Sequence, residues 1–240
     1  MSSAVRRALC ALPRAGASVL CVVLLAQVEG CRDNGTGPSA QTPQTVAGLV
    51  FALRDTLTFD AWDLDLFSDV IPSSHTTLVW RVYAVSDTFA GAGGVTSIAE
   101  YPTPGRPDTL RFRFLPSGDI YQYGFIAAVV KRREGVRLRP SWDRIGAFSL
   151  PTNATWAVGT VDSAGTDTLR GSVLGDQGYF IARVNGVRTA LHGFGVSLSS
   201  VDIDYTIVIS DVPPAFLFVE EASTQVANGF LRTISFLSEH

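Results

Sequence analysis

The sequence predicts an all-β chain, an antiparallel sandwich or barrel of about twelve short strands, and three observations carry that prediction. From Val46 onward apolar residues recur with period two, the period of a strand that buries one face. Clusters of Gly, Pro, Asn, Asp and Ser separate the alternating runs. No stretch offers a helical period of adequate length, although 47–57 reads either way.

Taken in order, Leu49, Phe51 and Leu53 give a first candidate strand. Leu57-Thr58-Phe59 then alternates in one phase and Trp62-Asp63-Leu64-Asp65-Leu66 in the other, the change of phase that a bulge or corner produces. Leu78, Trp80, Val82 and Ala84 form the next strand, while 90–94 (Ala-Gly-Ala-Gly-Gly) and the proline-rich 101–107 read as loops long enough to carry function. The clearest strand follows: Leu110, Phe112 and Phe114 alternate with Thr109, Arg111 and Arg113. After a turn over 116–119, Tyr121, Tyr123, Phe125, Ala127 and Val129 resume the alternation, and 120–130 is apolar on both faces, so it is expected in mid-sheet and covered on both sides. Arg133-Glu134-Gly135 makes the next turn.

Beyond Pro151, strands are expected at Trp156, Val158 and Thr160, at Leu169, Gly171 and Val173, and at Phe180, Ala182 and Val184. Asn185-Gly186 is a strong hairpin signal. Residues 201–205 and 207–209 form a further strand that Pro213-Pro214 stops, and 216–219 and 230–237 close the chain. The reading is one β domain over 46–240, with subdivision near 151 into two units of immunoglobulin size as the alternative.

Residues 1–30 have the layout of a secretory signal: Arg6, Arg7 and Arg14 give a positive start, and 15–26 is an apolar stretch too short to span a membrane. It ends in Val28-Glu29-Gly30-Cys31, and here the chain resembles the bacterial lipoprotein precursors, in which a small residue precedes a cysteine. Val28 and Gly30 match that motif, and Glu29 stands where a small uncharged residue is usual. The resemblance implies cleavage before Cys31, diacylglycerol on its sulfur and usually an N-acyl chain. Arg32 in place of aspartate implies the outer membrane. Residues 32–45 hold no apolar residue larger than alanine, and 31–45 is expected to form the lipidated cysteine and a flexible tether. The competing reading is a plain cleaved signal and a secreted or periplasmic soluble protein with Cys31 a free thiol.

All three cysteines lie at or before Cys31, so no disulfide framework is expected in the folded part. The chain has 19 basic and 22 acidic residues. Removing 1–30 takes three arginines and Glu29 and leaves 16 against 21, which argues against a nucleic-acid partner.

Catalytic and metal signatures are sparse. There is no G-x-S-x-G elbow, no H-E-x-x-H and no cysteine pair, and no cofactor or metal site is expected. His192, beside Gly193-Phe194-Gly195, is the histidine whose context best resembles a site, with His75 and His240 the others. Asp60, Asp63, Asp65 and Asp69, like Asp202 and Asp204, read as solvated strand faces. Trp62, Trp80, Trp142 and Trp156, with Tyr121 and Tyr123, are the aromatics that could line a sugar platform or an apolar cavity.

The sequence therefore points to a lipid-anchored bacterial envelope protein whose partner is the membrane, through Cys31. Its β domain is expected to be a non-enzymatic binding or structural module with Trp62, Tyr121, Tyr123 and His192 as candidate contacts. A barrel carrying an apolar small molecule, motivated by the two-sided apolar run 120–130, is the alternative, and a carbohydrate-active enzyme a weaker one.

Overall fold

The computed structural model describes residues 51–65, 69–103, 108–210, 216–226 and 229–239. Cys31 and the tether lie outside them, as do Leu49, Leu66, Pro213-Pro214 and His240. The strands are β1 (Thr56–Asp63), β2 (Thr76–Phe89), β3 (Ala92–Thr103), β4 (Asp108–Phe114), β5 (Asp119–Tyr123), β6 (Trp142–Ala147), β7 (Thr155–Thr160), β8 (Thr168–Val184), β9 (Val187–Ser199), β10 (Ile203–Ser210), β11 (Phe216–Val226) and β12 (Gly229–Glu239). Among the described residues one α-helix, α1 (Phe125–Glu134), sits between β5 and β6.

All twelve strands belong to one sheet in the order β6-β5-β4-β3-β2-β1-β12-β11-β10-β9-β8-β7. Every neighbour in that order is antiparallel, so the chain is a meander whose first and last strands meet in the middle. The sheet curls onto itself. Phe112 on β4 and Phe216 on β11 have four strands between them, yet their rings lie 5.5 Å apart. Trp80, Phe59 and Phe114 complete this aromatic centre, and every strand contributes to the same apolar core. Outward positions carry Arg111, Arg113, Arg170 and Asp204, opposite in sense to a barrel that faces lipid.

The seam between β6 and β7 is closed by side chains. The Trp156 indole donates to the Arg144 carbonyl at 2.9 Å and packs on Gly171, where any Cβ would overlap its Cε2, Cζ2 and Cη2 atoms. Gly171 is glycine because the indole occupies that space.

Three expectations change. The run expected as a mid-sheet strand over 120–130 breaks at Gly124, whose φ of 76° only glycine adopts cheaply. Strand β5 ends there, and Phe125, Ile126, Val129 and Val130 become the buried face of α1, at helical rather than strand spacing. The helix closes one end of the sheet, held by Arg133, which reaches Asp167 and Asp202 at 3.1 and 3.0 Å and the Val161 carbonyl at 2.9 Å.

Second, the strands are not all short. β2 has 14 residues and β8 has 17, because bulges let each bend without ending. The stretch 90–94 is therefore a two-residue hairpin, with Ala90 and Gly91 both left-handed, and not a long loop. Asn185-Gly186 makes the same kind of turn between β8 and β9, as the sequence indicates.

Third, neither Phe51 nor Leu53 lies in a strand; Leu53 is in the turn that leads into β1, and Phe51 precedes it. Phe51 packs on Phe114 at 5.1 Å between ring centroids. β1 runs unbroken beside β2 from Thr56 to Ala61, and the irregularity in it falls at Thr58/Phe59, against β12.

Candidate functional site

Ile120 is buried in the core, so the alternation of β5 turns Tyr121 and Tyr123 to the outer face. Register sets Tyr121 opposite Arg113 of β4 on one side and Arg144 of β6 on the other, and Tyr123 opposite Trp142. Bulges at Val82/Ala84, Ala84/Asp87 and Asp87/Phe89 coil the β2–β3 hairpin until Phe89 meets Tyr123 edge to face at 5.0 Å. Tyr123 in turn meets Trp142 at 5.3 Å.

Two guanidiniums sit on these rings. Arg111 lies 4.0 Å from the Phe89 centroid and Arg113 lies 5.9 Å from that of Trp142, with the Arg113 Nε donating to the Gly93 carbonyl at 3.2 Å. Among the described residues neither arginine forms an ion pair, and nothing accepts from the buried indole N–H of Trp142. Arg144 differs, since it is paired with Asp119 at 2.7 Å.

Beneath this face lies Asp143, which accepts from the Ile126 amide at 2.9 Å and from the Ser141 hydroxyl at 2.7 Å. Burial pushes its carboxyl above the usual aspartate range, although those hydrogen bonds pull the other way. Inside the sheet Glu100 accepts from the Trp80 indole at 2.7 Å. Burial raises its carboxyl too, with Asp108 adding to the effect and Arg132 opposing it.

The other sequence candidates lie apart. Trp62 faces outward on β1, 5.0 Å from the His75 ring, and His75 pairs with Asp60 at 3.0 Å. His192 lies between Tyr179 and Phe194 at 5.0 and 4.7 Å, with Asp176 at 2.9 Å from its Nε2. Among the described residues no three His, Cys, Asp or Glu side chains converge on a metal position.

The structure thus joins Tyr121 and Tyr123 but leaves Trp62 and His192 on other strands. Phe89, Arg111 and Arg113 were missing from the sequence candidates. Arg111 and Arg113 were visible as the polar phase of the clearest strand, whereas the arrival of Phe89 depends on three bulges that leave no signature in the sequence.

No protein-family model and no curated protein matches the chain. A solved structure described as a "putative lipoprotein" from Parabacteroides distasonis matches it with a TM-score of 0.36 and 7% identity, covering 83% of this chain and 99% of that one. A score that low does not establish a common fold, so function has to be read from this chain's own side chains.

Proposed function

We propose that the chain is a lipid-anchored, non-enzymatic binding module of a bacterial envelope, and that the outer face of β4, β5 and β6 is its binding face. The observation that carries the binding face is Arg111 and Arg113, two guanidiniums without a carboxylate partner among the described residues, resting on rings beside the Trp142 indole, whose buried N–H has no acceptor among those residues. Five carboxylates and two histidines elsewhere are engaged in pairs: Asp167 and Asp202 with Arg133, Asp119 with Arg144, Asp60 with His75, and Asp176 with His192. That commitment supports binding over catalysis.

The chemistry of the face suits an acidic sugar. Aromatic rings take the apolar side of a pyranose, and a guanidinium takes a carboxylate through two parallel hydrogen bonds. The apolar-carrier alternative loses its motive, because 125–130 is helix and the centre of the sheet is filled by Phe59, Trp80, Phe112, Phe114 and Phe216.

Calorimetric titration with oligogalacturonate, with dextran as the uncharged control, tests this reading. Saturable binding to the acidic sugar alone is expected, at least about tenfold weaker in Arg111→Gln/Arg113→Gln, from the loss of charge-assisted bonds. Binding untouched by that double substitution would contradict the assigned face. Turnover of the sugar, abolished by changing one carboxylate, would contradict the non-enzymatic reading.

A further inference from the structure

We infer that the β8–β9 hairpin is a membrane-contact arm that docks on an anionic phospholipid surface. Up to Gly193, β9 lies beside β10, but residues 187–192 run past the end of β10, whose last register pair is Ser210 with Gly193. The hairpin therefore projects. Bulges at Val173/Gly175 and Asp176/Gly178 bend it across the end of the sheet, where Arg183 pairs in parallel with Glu239 of β12. Phe180, Ala182 and Leu191 turn inward to the core.

The opposite face of the arm is set by register. Tyr179 stands across from His192, Ile181 from Ala190 and Arg183 from Arg188. Tyr179 is 59% and Ile181 38% exposed, and at the tip Val187 is 66% exposed. Arg183 and Arg188 are both exposed, and neither forms an ion pair with a described residue. Like charges directly opposite one another in a ladder repel, and a bridging anion removes that cost. An aromatic, a branched aliphatic side chain and two guanidiniums on one edge match the layering of a phospholipid interface, with its phosphates above its acyl chains.

The chain's entry into the fold selects the occupant. Thr58, near the start of β1, pairs with Glu239, and Glu239 with Arg183, so the first residues of β1 lie two strand spacings, about 10 Å, from the arm. Nineteen residues separate Cys31 from Phe51, a contour of at most about 70 Å. A membrane holding Cys31 would then face the end of the sheet that carries the arm. The most exposed large apolar residue among those described, Val201, lies at the opposite end, with its amide on the Asp167 carboxylate. Carboxylates there would be repelled by an anionic surface.

The inference rests on the anchored-module reading only for that orientation, and the test separates the two. Full-length Cys31→Ser protein, which cannot be acylated, is sedimented with phosphatidylethanolamine vesicles with or without phosphatidylglycerol. Binding only to the phosphatidylglycerol vesicles is expected, lowered about fivefold per arginine in Arg183→Ala and Arg188→Ala and largely kept in the Arg183→Lys/Arg188→Lys protein. Both arginine positions are solvent-facing, and an unchanged near-ultraviolet spectrum shows the fold intact. Absence of binding, or binding indifferent to both alanine changes, overturns the arm. If wild type carries no acyl chain while the Cys31→Ser protein still binds, the anchor fails and the arm stands.

Discussion

Glu100 and Asp143 show what folding does to single carboxyls here: both are drawn out of water, and both gain proton affinity because burial outweighs the hydrogen bonds that favour the charged form. A carboxyl whose proton affinity is higher folded than unfolded favours the folded state at low pH. That contribution is complete below the ordinary values of 4.5 for Glu100 and 3.8 for Asp143, and it is lost as pH rises through the higher folded-state values. The urea midpoint is expected to fall as pH is raised above 4.5, and to fall less in Glu100→Gln, whose amide oxygen still accepts from Trp80. Equal slopes for the two proteins would remove Glu100 from the account. At this scale the sequence showed which residue types alternate, and so placed Tyr121 and Tyr123 on one face. It did not show that Asp143 lies beneath them, because that position is set by where α1 begins.

Among the elements, α1 is the one whose identity the sequence concealed. Phe125, Ala127 and Val129 alternate as a strand does, while Phe125, Ile126, Val129 and Val130 form a helical face, and a run this short satisfies both periods. Gly124 and Gly135, both left-handed at the helix ends, decide between them, with Lys131, Arg132 and Arg133 in the last turn complementing the helix dipole. The Arg133 side chain is 5% exposed and serves two carboxylates, so Arg133→Ala would remove the guanidinium that neutralises Asp167 and Asp202. A loss of about 3–5 kcal/mol is expected in chemical denaturation, the cost of breaking a buried ion pair from one side. Amide exchange in 125–134 should accelerate more than in β1 or β2. If the loss is below about 1 kcal/mol, in the range of a surface pair, α1 is held by packing alone. The hairpins were more legible, since Asn185-Gly186 announces its turn, but the bulges that make β2 and β8 long enough to coil lie within ordinary alternation.

Across the whole molecule the class was legible and the architecture only in part. Period-two alternation over some dozen runs requires an antiparallel sheet system with one buried face. It leaves open whether that sheet stacks on another or curls on itself. The answer lies in contacts remote in sequence, with Phe112 on Phe216, β1 between β2 and β12, and Trp156 over Gly171 at the seam. The result is a curled sheet with its apolar side inward, a helix across one end, an arm across the other and an aromatic, cationic face on the outside. Each of these features acquires a role from the proposed envelope address, and that proposal depends on Cys31. Intact mass of the protein recovered from the membrane fraction of an expressing bacterium, wild type against Cys31→Ser, tests it most directly. The account predicts a wild-type chain beginning at residue 31 with added acyl chains, and neither the acyl mass nor membrane retention through it in the variant. An unmodified wild-type chain beginning elsewhere would contradict it.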